Sequence, residues 1–333
     1  MTEISHKIDY TQFKTHAVPC CVCGSEKHEF FCTKDGMDYV TCCQCSHVYI
    51  RNQVSETDLL SIYSSRKSHH NLNDKLKWDF SRMKAKLYYD KLLKRIGKYV
   101  DQGPLLDIGC SNGSFARAAL DGGWDALGLE LEESSVATAK AHGVKVIQGE
   151  LHSQSFPDNH FHAVTMWNLF EHLSEPNATL KEIYRILKPG GVCAMCVPNI
   201  RSIGWWMLGP DWHSVEPQIH LNLFSTKTLS LLVRSNGFHV RHQVTLDIKP
   251  ATISAWIKGK SSRKTSNHAA SVAGLAQKSP AKMRLLFGLR QITNPPLILT
   301  HSGEDIFCTI QKPKDKTKRN PFDKKLRCSR LVM

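Results

Sequence analysis

The first residues whose types and spacing suggest chemistry are Asp107 and the small-residue run behind it, Gly109-Cys110-Ser111-Asn112-Gly113. Leu105 to Ile108 reads as a short buried strand, and a helix burying Phe115, Ala119 and Leu120 follows the run. Glycines allow a sharp turn at positive φ and let a ligand approach the main chain. The helix start offers unpaired N–H groups and partial positive charge, which suit a carboxylate or phosphate. Asp107, at the carboxyl end of the strand, can meet a cationic or hydroxyl group held in the turn. A second strand, Trp124 to Leu129, ends in Glu130, 23 residues beyond Asp107. An acid at that place in a doubly wound fold holds a ribose diol.

A second constellation lies near the N-terminus. Cys20-x2-Cys23 and Cys42-x2-Cys45 have the spacing of a four-thiolate zinc site built from two knuckles. Phe30 to Cys32 and Tyr39 to Thr41 read as two short strands between them. So small a unit has little core, and metal binding would supply its folding energy. Cys21, Cys43, Cys32 and His28 are alternative ligands that break the knuckle symmetry, and free buried cysteines are the non-metal reading. The chain has 12 cysteines, and clustered cysteines in a reducing compartment more often bind metal than pair as disulfides.

DIGCSNGSF resembles the first motif of class I S-adenosylmethionine-dependent methyltransferases, usually Asp-x-Gly-x-Gly-x-Gly. GLELEESSVATA resembles that family's acidic second-strand end, and FHAVTMWNLFEHLSEPNATLKEIYRILKPGG its fourth strand, following loop and next helix. The similarity runs from about Leu105 to Phe238. Ser111 replaces the middle glycine, and His162 stands where many relatives carry Asp. Serine is small enough to keep the turn. The resemblance implies an α/β fold: a doubly wound, seven-stranded Rossmann-like sheet with a small N-terminal zinc module, as in bacterial tailoring enzymes. It also implies S-adenosylmethionine as cofactor, beside structural zinc. The cofactor contacts it implies are Asp107, Gly109, Cys110 and Gly113 at the turn and Glu130 and Leu131 after the second strand. Glu150 and Leu151 would face the adenine, and Trp167 and Asn168 would close the site after the fourth strand.

These motifs need elements to hold them, and the chain divides accordingly. Residues 1–18 read as a flexible leader, 19–50 as the zinc module and 51–102 as a helical linker. Residues 103–311 read as the catalytic domain, and 312–333 as a basic tail. The helices Ser134–His142 and Pro176–Leu187 alternate with strands Val144–Ile147, Phe161–Trp167 and Val192–Val197. The stretch 198–224 holds Trp205, Trp206 and Trp212, which read equally as an acceptor pocket or lid and as core packing. A helix from Thr226 to Asn236 and a strand from Phe238 to Leu246 follow. Residues 249–295 form a basic insertion, in which Ala281 to Ile292 reads as a basic amphipathic helix. Glu304 to Gln311 reads as the last, antiparallel strand.

Methyl transfer from a sulfonium is an in-line displacement, so positioning is the main contribution a protein makes. A base is needed only where the acceptor must lose a proton. His220 and His172 are the catalytic candidates, with His213 a further possibility in the aromatic stretch. His172 reads also as a residue that sets its loop and contacts the cofactor, and the pair His69-His70 as solvated surface histidines. No run is apolar enough for a membrane span and the N-terminus lacks a signal core, so a cytoplasmic protein is the expectation.

The formal net charge of +14 is uneven. Residues 1–240 contain 25 Lys/Arg and 25 Asp/Glu, and residues 241–333 contain 19 and 5, so the whole excess lies in the C-terminal part. That part could meet an anionic membrane surface, at the membrane's inner face, or nucleic acid. The acceptor reads first as a small molecule, sugar or carrier-linked glycan. An RNA or protein acceptor, or a non-catalytic zinc-bearing binding protein on the same fold, are the competing readings.

Overall fold

The structure is a computed structural model that describes residues 13–55, 57–58, 88–257 and 295–314. The expected pair His69-His70, the helix at 281–292 and most of the basic tail lie outside these residues.

Long apolar runs build the main sheet. Strand β6 (Pro104–Ile108), β9 (Phe161–Trp167) and β10 (Leu187–Pro198) are buried almost throughout. That pattern belongs to strands covered on both faces. With β7 (Asp125–Glu130), β8 (Lys145–Gln148), β12 (His239–Leu246) and β13 (Asp305–Gln311) they form seven strands in the order β12-β13-β10-β9-β6-β7-β8. The five strands β8-β7-β6-β9-β10 are parallel, and β13 runs antiparallel between β10 and β12. This is the doubly wound seven-stranded sheet that the resemblance implies. The strand order reverses between β6 and β9, and such a switch point opens a ligand crevice at the strands' carboxyl ends.

Helices α1 (Ser114–Asp121), α2 (Glu133–Ala141) and α3 (Pro176–Ile186) make the crossovers. Phe115, Ala116, Ala118 and Ala119 press α1 onto the sheet. Strand β10 begins earlier than its apolar core suggests. Leu187 already pairs with Phe161, and the register then shifts before Val192. Lys312 holds this irregularity, its ammonium donating to Asn159 Oδ1 and to the carbonyls of Tyr184 and Leu187, each at 2.7 Å.

The N-terminal segment folds around β2 (His28–Lys34), β3 (Met37–Cys42) and β4 (Val48–Ile50). Thr15–Ala17, within the expected leader, is β1 and pairs with β5 (Asn52–Val54). A fourth strand of the β2–β4 sheet comes from far along the chain: β11 (Asn222–Leu223) pairs with β4. One apolar cluster accordingly joins Tyr39, Val48 and Ile50 to Ile200, Trp212, Val215, Leu221 and Leu223. Within 198–224, α4 (Ile203–Leu208) is a short helix capped by the Ser202 hydroxyl. Helix α5 (Thr226–Ser235) starts with a reciprocal Ser225–Thr228 capping box, and α6 (Pro250–Ile257) follows β12.

Candidate active site and thiolate cluster

The turn after β6 has the shape its residues suggested. Gly109 and Gly113 have φ of 67° and 76°, and Ser111, in place of the expected middle glycine, has φ 48°. A side chain at Gly113 would meet Ala139 at 2.9 Å, and one at Gly109 would meet Leu169 at 3.1 Å. The turn is therefore pressed between α2 and the loop that follows β9. Glu130 closes over it. Its carboxylate accepts from the backbone N–H of Ser111 at 2.8 Å, of Leu131 at 2.8 Å and of Glu132 at 3.1 Å. These N–H groups fix the carboxylate at the rim, and a two-oxygen acceptor keeps further lone pairs for a diol.

Asp107 lies beneath this rim, 1 % exposed. Thr165 of β9 donates to Oδ1 at 2.7 Å, while Oδ2 is buried without a hydrogen-bond partner. Burial pushes the carboxyl up to about 7, against the Thr165 bond, with the Glu130 charge adding to the rise. An orphaned buried carboxylate oxygen is a vacancy for a donor or cation.

The remaining candidates take different parts. Gly149 N–H donates to the Glu130 carbonyl at 3.0 Å, which brings Glu150 and buried Leu151 to the same edge. Leu131 is solvent-exposed beside Glu130. Cys110 turns its sulfur toward β7, close enough that a side chain at Gly128 would meet it at 2.6 Å, so its share in the turn is its backbone. The Trp167 ring packs between Phe115 and Phe307, with its Nε1 buried and unpartnered. Asn168, with φ 50°, ends β9 at the switch point.

His172 and His220 come together, their ring centroids 4.8 Å apart. His172 faces two carbonyls, Ile219 O at 2.8 Å from Nδ1 and Asn168 O at 3.1 Å from Nε2. His220 sets Nδ1 2.7 Å from the Ser214 carbonyl, which places its proton there and its basic lone pair on Nε2. Beside them Glu171 is fully buried, neither carboxylate oxygen has a hydrogen-bond partner, and burial pushes the group up to about 8. Two partners of this region carry no local sequence signal: Thr165 for Asp107, and Tyr39, whose hydroxyl donates to the His220 carbonyl at 2.7 Å.

The four expected cysteines converge. Their sulfurs lie within 4.8 Å of one another, with Cys20–Cys45 at 3.5 Å and Cys23–Cys42 at 3.4 Å. Tetrahedral Zn–S bonds of about 2.3 Å require sulfurs roughly 3.8 Å apart, so the set fits such an ion. The two knuckles repeat one geometry. Gly24 N–H returns to the Cys20 carbonyl and Ser46 N–H to the Cys42 carbonyl, both residues at positive φ. Cys21 instead faces His47 and Asn222, and Cys32 lies in the Trp212 cluster.

Residues 81–243 match the family model described as a methyltransferase domain. Ubiquinone biosynthesis O-methyltransferases from Methylococcus capsulatus and Pseudomonas fluorescens are 30% identical over 110 and 112 residues, 31% of this chain and 46% of each relative. The match thus spans less than half the length of those relatives. Among solved structures, a SAM-dependent methyltransferase from Thermotoga maritima, described as a possible histamine N-methyltransferase, superposes with a TM-score of 0.47 at 19% identity. That superposition covers 76% of this chain and 99% of the other.

Proposed function

We propose that the chain is a class I S-adenosylmethionine-dependent methyltransferase whose acceptor is a small molecule, sugar or carrier-linked glycan. The observation that carries this is the crevice itself: a positive-φ turn roofed by Glu130, over a buried Asp107 with one unmatched oxygen. Glu130 would accept from the ribose diol and Asp107 would answer the cationic end of the cofactor. The backbone of Gly109 to Gly113 would lie along its chain. S-adenosylmethionine brings a methyl group on a sulfonium, already a good leaving group. The protein's task is then to align the acceptor atom, and effective molarities from such alignment supply about 7–11 kcal/mol. Where the acceptor must lose a proton, His220 Nε2 is the base. His172 is the weaker choice, because both of its ring nitrogens already face backbone carbonyls, Ile219 O and Asn168 O. The relatives' names point to an oxygen acceptor, which a sugar hydroxyl or a phenol would equally provide. Cys20, Cys23, Cys42 and Cys45 would hold one structural zinc.

Titration calorimetry with S-adenosylmethionine tests the reading. The wild type should bind, and Glu130→Ala should weaken binding about ten- to hundredfold, the loss of hydrogen bonds to a charged group. No binding by the wild type overturns the proposal. Methyl-labelled cofactor with fractionated cell extract then identifies the acceptor by the fraction that gains label.

A further inference from the structure

Glu171 is 1 % exposed, and neither of its carboxylate oxygens has a hydrogen-bond partner. Buried carboxylates are ordinarily paired or bound to metal. Two imidazoles stand beside it, and one ligand atom from each of Glu171, His172 and His220 lies within 4.8 Å of the others. Nδ1 of His172 is 2.8 Å from the Ile219 carbonyl, and Nδ1 of His220 is 2.7 Å from the Ser214 carbonyl. A carbonyl only accepts, so each ring holds a proton on Nδ1, and in the neutral imidazole the lone pair falls on Nε2. That nitrogen of His172 is 3.1 Å from the Asn168 carbonyl and 3.9 Å from Glu171 Oε1. Electron pairs from a carboxylate, two imidazoles and a backbone carbonyl thus converge on one place. A second proton on His172 would answer the carbonyl. At 3.9 Å it would not form a hydrogen bond to Glu171, whose oxygens would stay unmatched.

The fold fixes these groups from two distant parts of the chain. Glu171 and His172 lie on the short turn Phe170–His172 after β9, where Phe170 is fully buried and stacks on Phe224. His220 comes just before β11. Its N–H donates to the Glu216 carbonyl at 2.7 Å, and its own carbonyl accepts from the Tyr39 hydroxyl at 2.7 Å. Asn222 ties the two parts together by donating to the Leu173 carbonyl at 2.8 Å. Backbone carbonyls on Nδ1 set both ring orientations, as outer partners do for metal-bound histidines.

We propose that Glu171, His172 and His220 bind one divalent transition-metal ion, at a second site distinct from the thiolate cluster. Two imidazoles and a carboxylate suit Zn2+, Fe2+ or Co2+, whereas Mg2+ and Ca2+ take oxygen ligands. Three protein ligands leave a position open on the ion, unlike the closed set of four thiolates. That position, beside Asn168 at the switch point, would suit an oxygen of the acceptor. This last step rests on the proposed methyl transfer, and ion binding does not. While the ion is bound His220 is a ligand, so it would not also act as the base.

The test is titration of the full chain with Co2+, read by visible absorption, after dialysis against citrate to clear the open site. The wild type should take up one Co2+ per chain with the bands of nitrogen and oxygen ligation. The sulfur-to-cobalt charge-transfer band of a thiolate site should be absent. Zn2+ should bleach the bands, and excess Mg2+ should not. Glu171→Gln and, separately, His220→Gln should each weaken Co2+ binding at least about tenfold. Glu171→Gln should keep the thermal transition of the ion-free wild type, since it removes an unmatched buried charge. No Co2+ uptake, uptake only with the charge-transfer band, or full uptake by both variants overturns the proposal. Calorimetry with S-adenosylmethionine reads the crevice separately. Cofactor binding without Co2+ uptake rejects the metal site alone, and Co2+ uptake without cofactor binding rejects the methyltransferase reading alone.

Discussion

Asp107 shows how a single residue's burial becomes a measurable property. Its folded value, pushed up to about 7, lies above the ordinary 3.8, so between those pH values the folded chain holds more protons than the unfolded one. Stability from this group is therefore complete below pH 3.8, declines as pH rises through the window, and levels off above about 7. The decline amounts to about 4 kcal/mol at most. Asp107→Asn removes the titration. Its thermal midpoint should fall less than that of the wild type as pH rises from 4 to 7. Parallel curves for the two proteins would show that the carboxyl does not titrate in this range. The residue was legible in the sequence as an acid at a strand end before a glycine turn. Its partner was not, because Thr165 belongs to a strand 58 residues away and is one of many threonines in apolar runs. Ser111 makes the complementary point. The sequence showed a departure from the glycine motif, and the backbone keeps the left-handed turn, at φ 48°, despite it.

At the scale of elements, the paired C-x2-C knuckles, the alternation of strands and helices and the acidic end of β7 were readable, because spacing and periodicity are local. The two-residue strand β11 was not. Asn222-Leu223 has no alternation to read, yet it completes the β2–β4 sheet through Tyr49 and Val48. The three tryptophans of 198–224 were ambiguous for the same reason, since an irregular stretch has no period, and the structure divides them. Trp212 is core, Trp205 stacks on Phe31 at 4.7 Å, and Trp206 is outside. The thiolate cluster is thereby coupled to the histidine region. Cys21 and His47 meet Asn222, Asn222 donates to the Leu173 carbonyl at 2.8 Å, and Tyr39 holds the His220 carbonyl. Elemental analysis should find one zinc per chain in protein purified without chelator, and Cys42→Ser should lose it. Because 19–50 and 198–224 share a core, the variant should also show faster hydrogen exchange at 219–223, while β6 and β9 keep their protection. Unchanged exchange there would mean that the histidine region stands without the metal.

Across the whole sequence, charge balances over residues 1–240 and the excess lies beyond residue 240. Within the described residues the last strand is what joins these parts. Strand β13 enters the sheet between β10 and β12, and the residue before it, Glu304, is fully buried. Its carboxylate accepts from Trp212 Nε1 at 2.9 Å, Thr252 Oγ1 at 2.9 Å and Lys249 N–H at 2.8 Å. One side chain thus ties the aromatic stretch, the start of α6 and the sheet together. Burial pushes its carboxyl up, and the bonds from Trp212, Lys249 and Thr252 oppose the rise. Glu304→Gln keeps the shape but gives one position two N–H groups where donors already point inward. At least one of the three bonds must break, leaving buried donors opposed, at a cost of about 2–5 kcal/mol. In a chain of this size that should lower the thermal midpoint by roughly 5–15 °C. Glu304→Asp should cost less if it recovers part of the network. If Glu304→Gln melts with the wild type, the carboxylate is not what joins these elements. The apolar contacts of Trp212 with Ile200, Val215 and Leu221 would then carry that role.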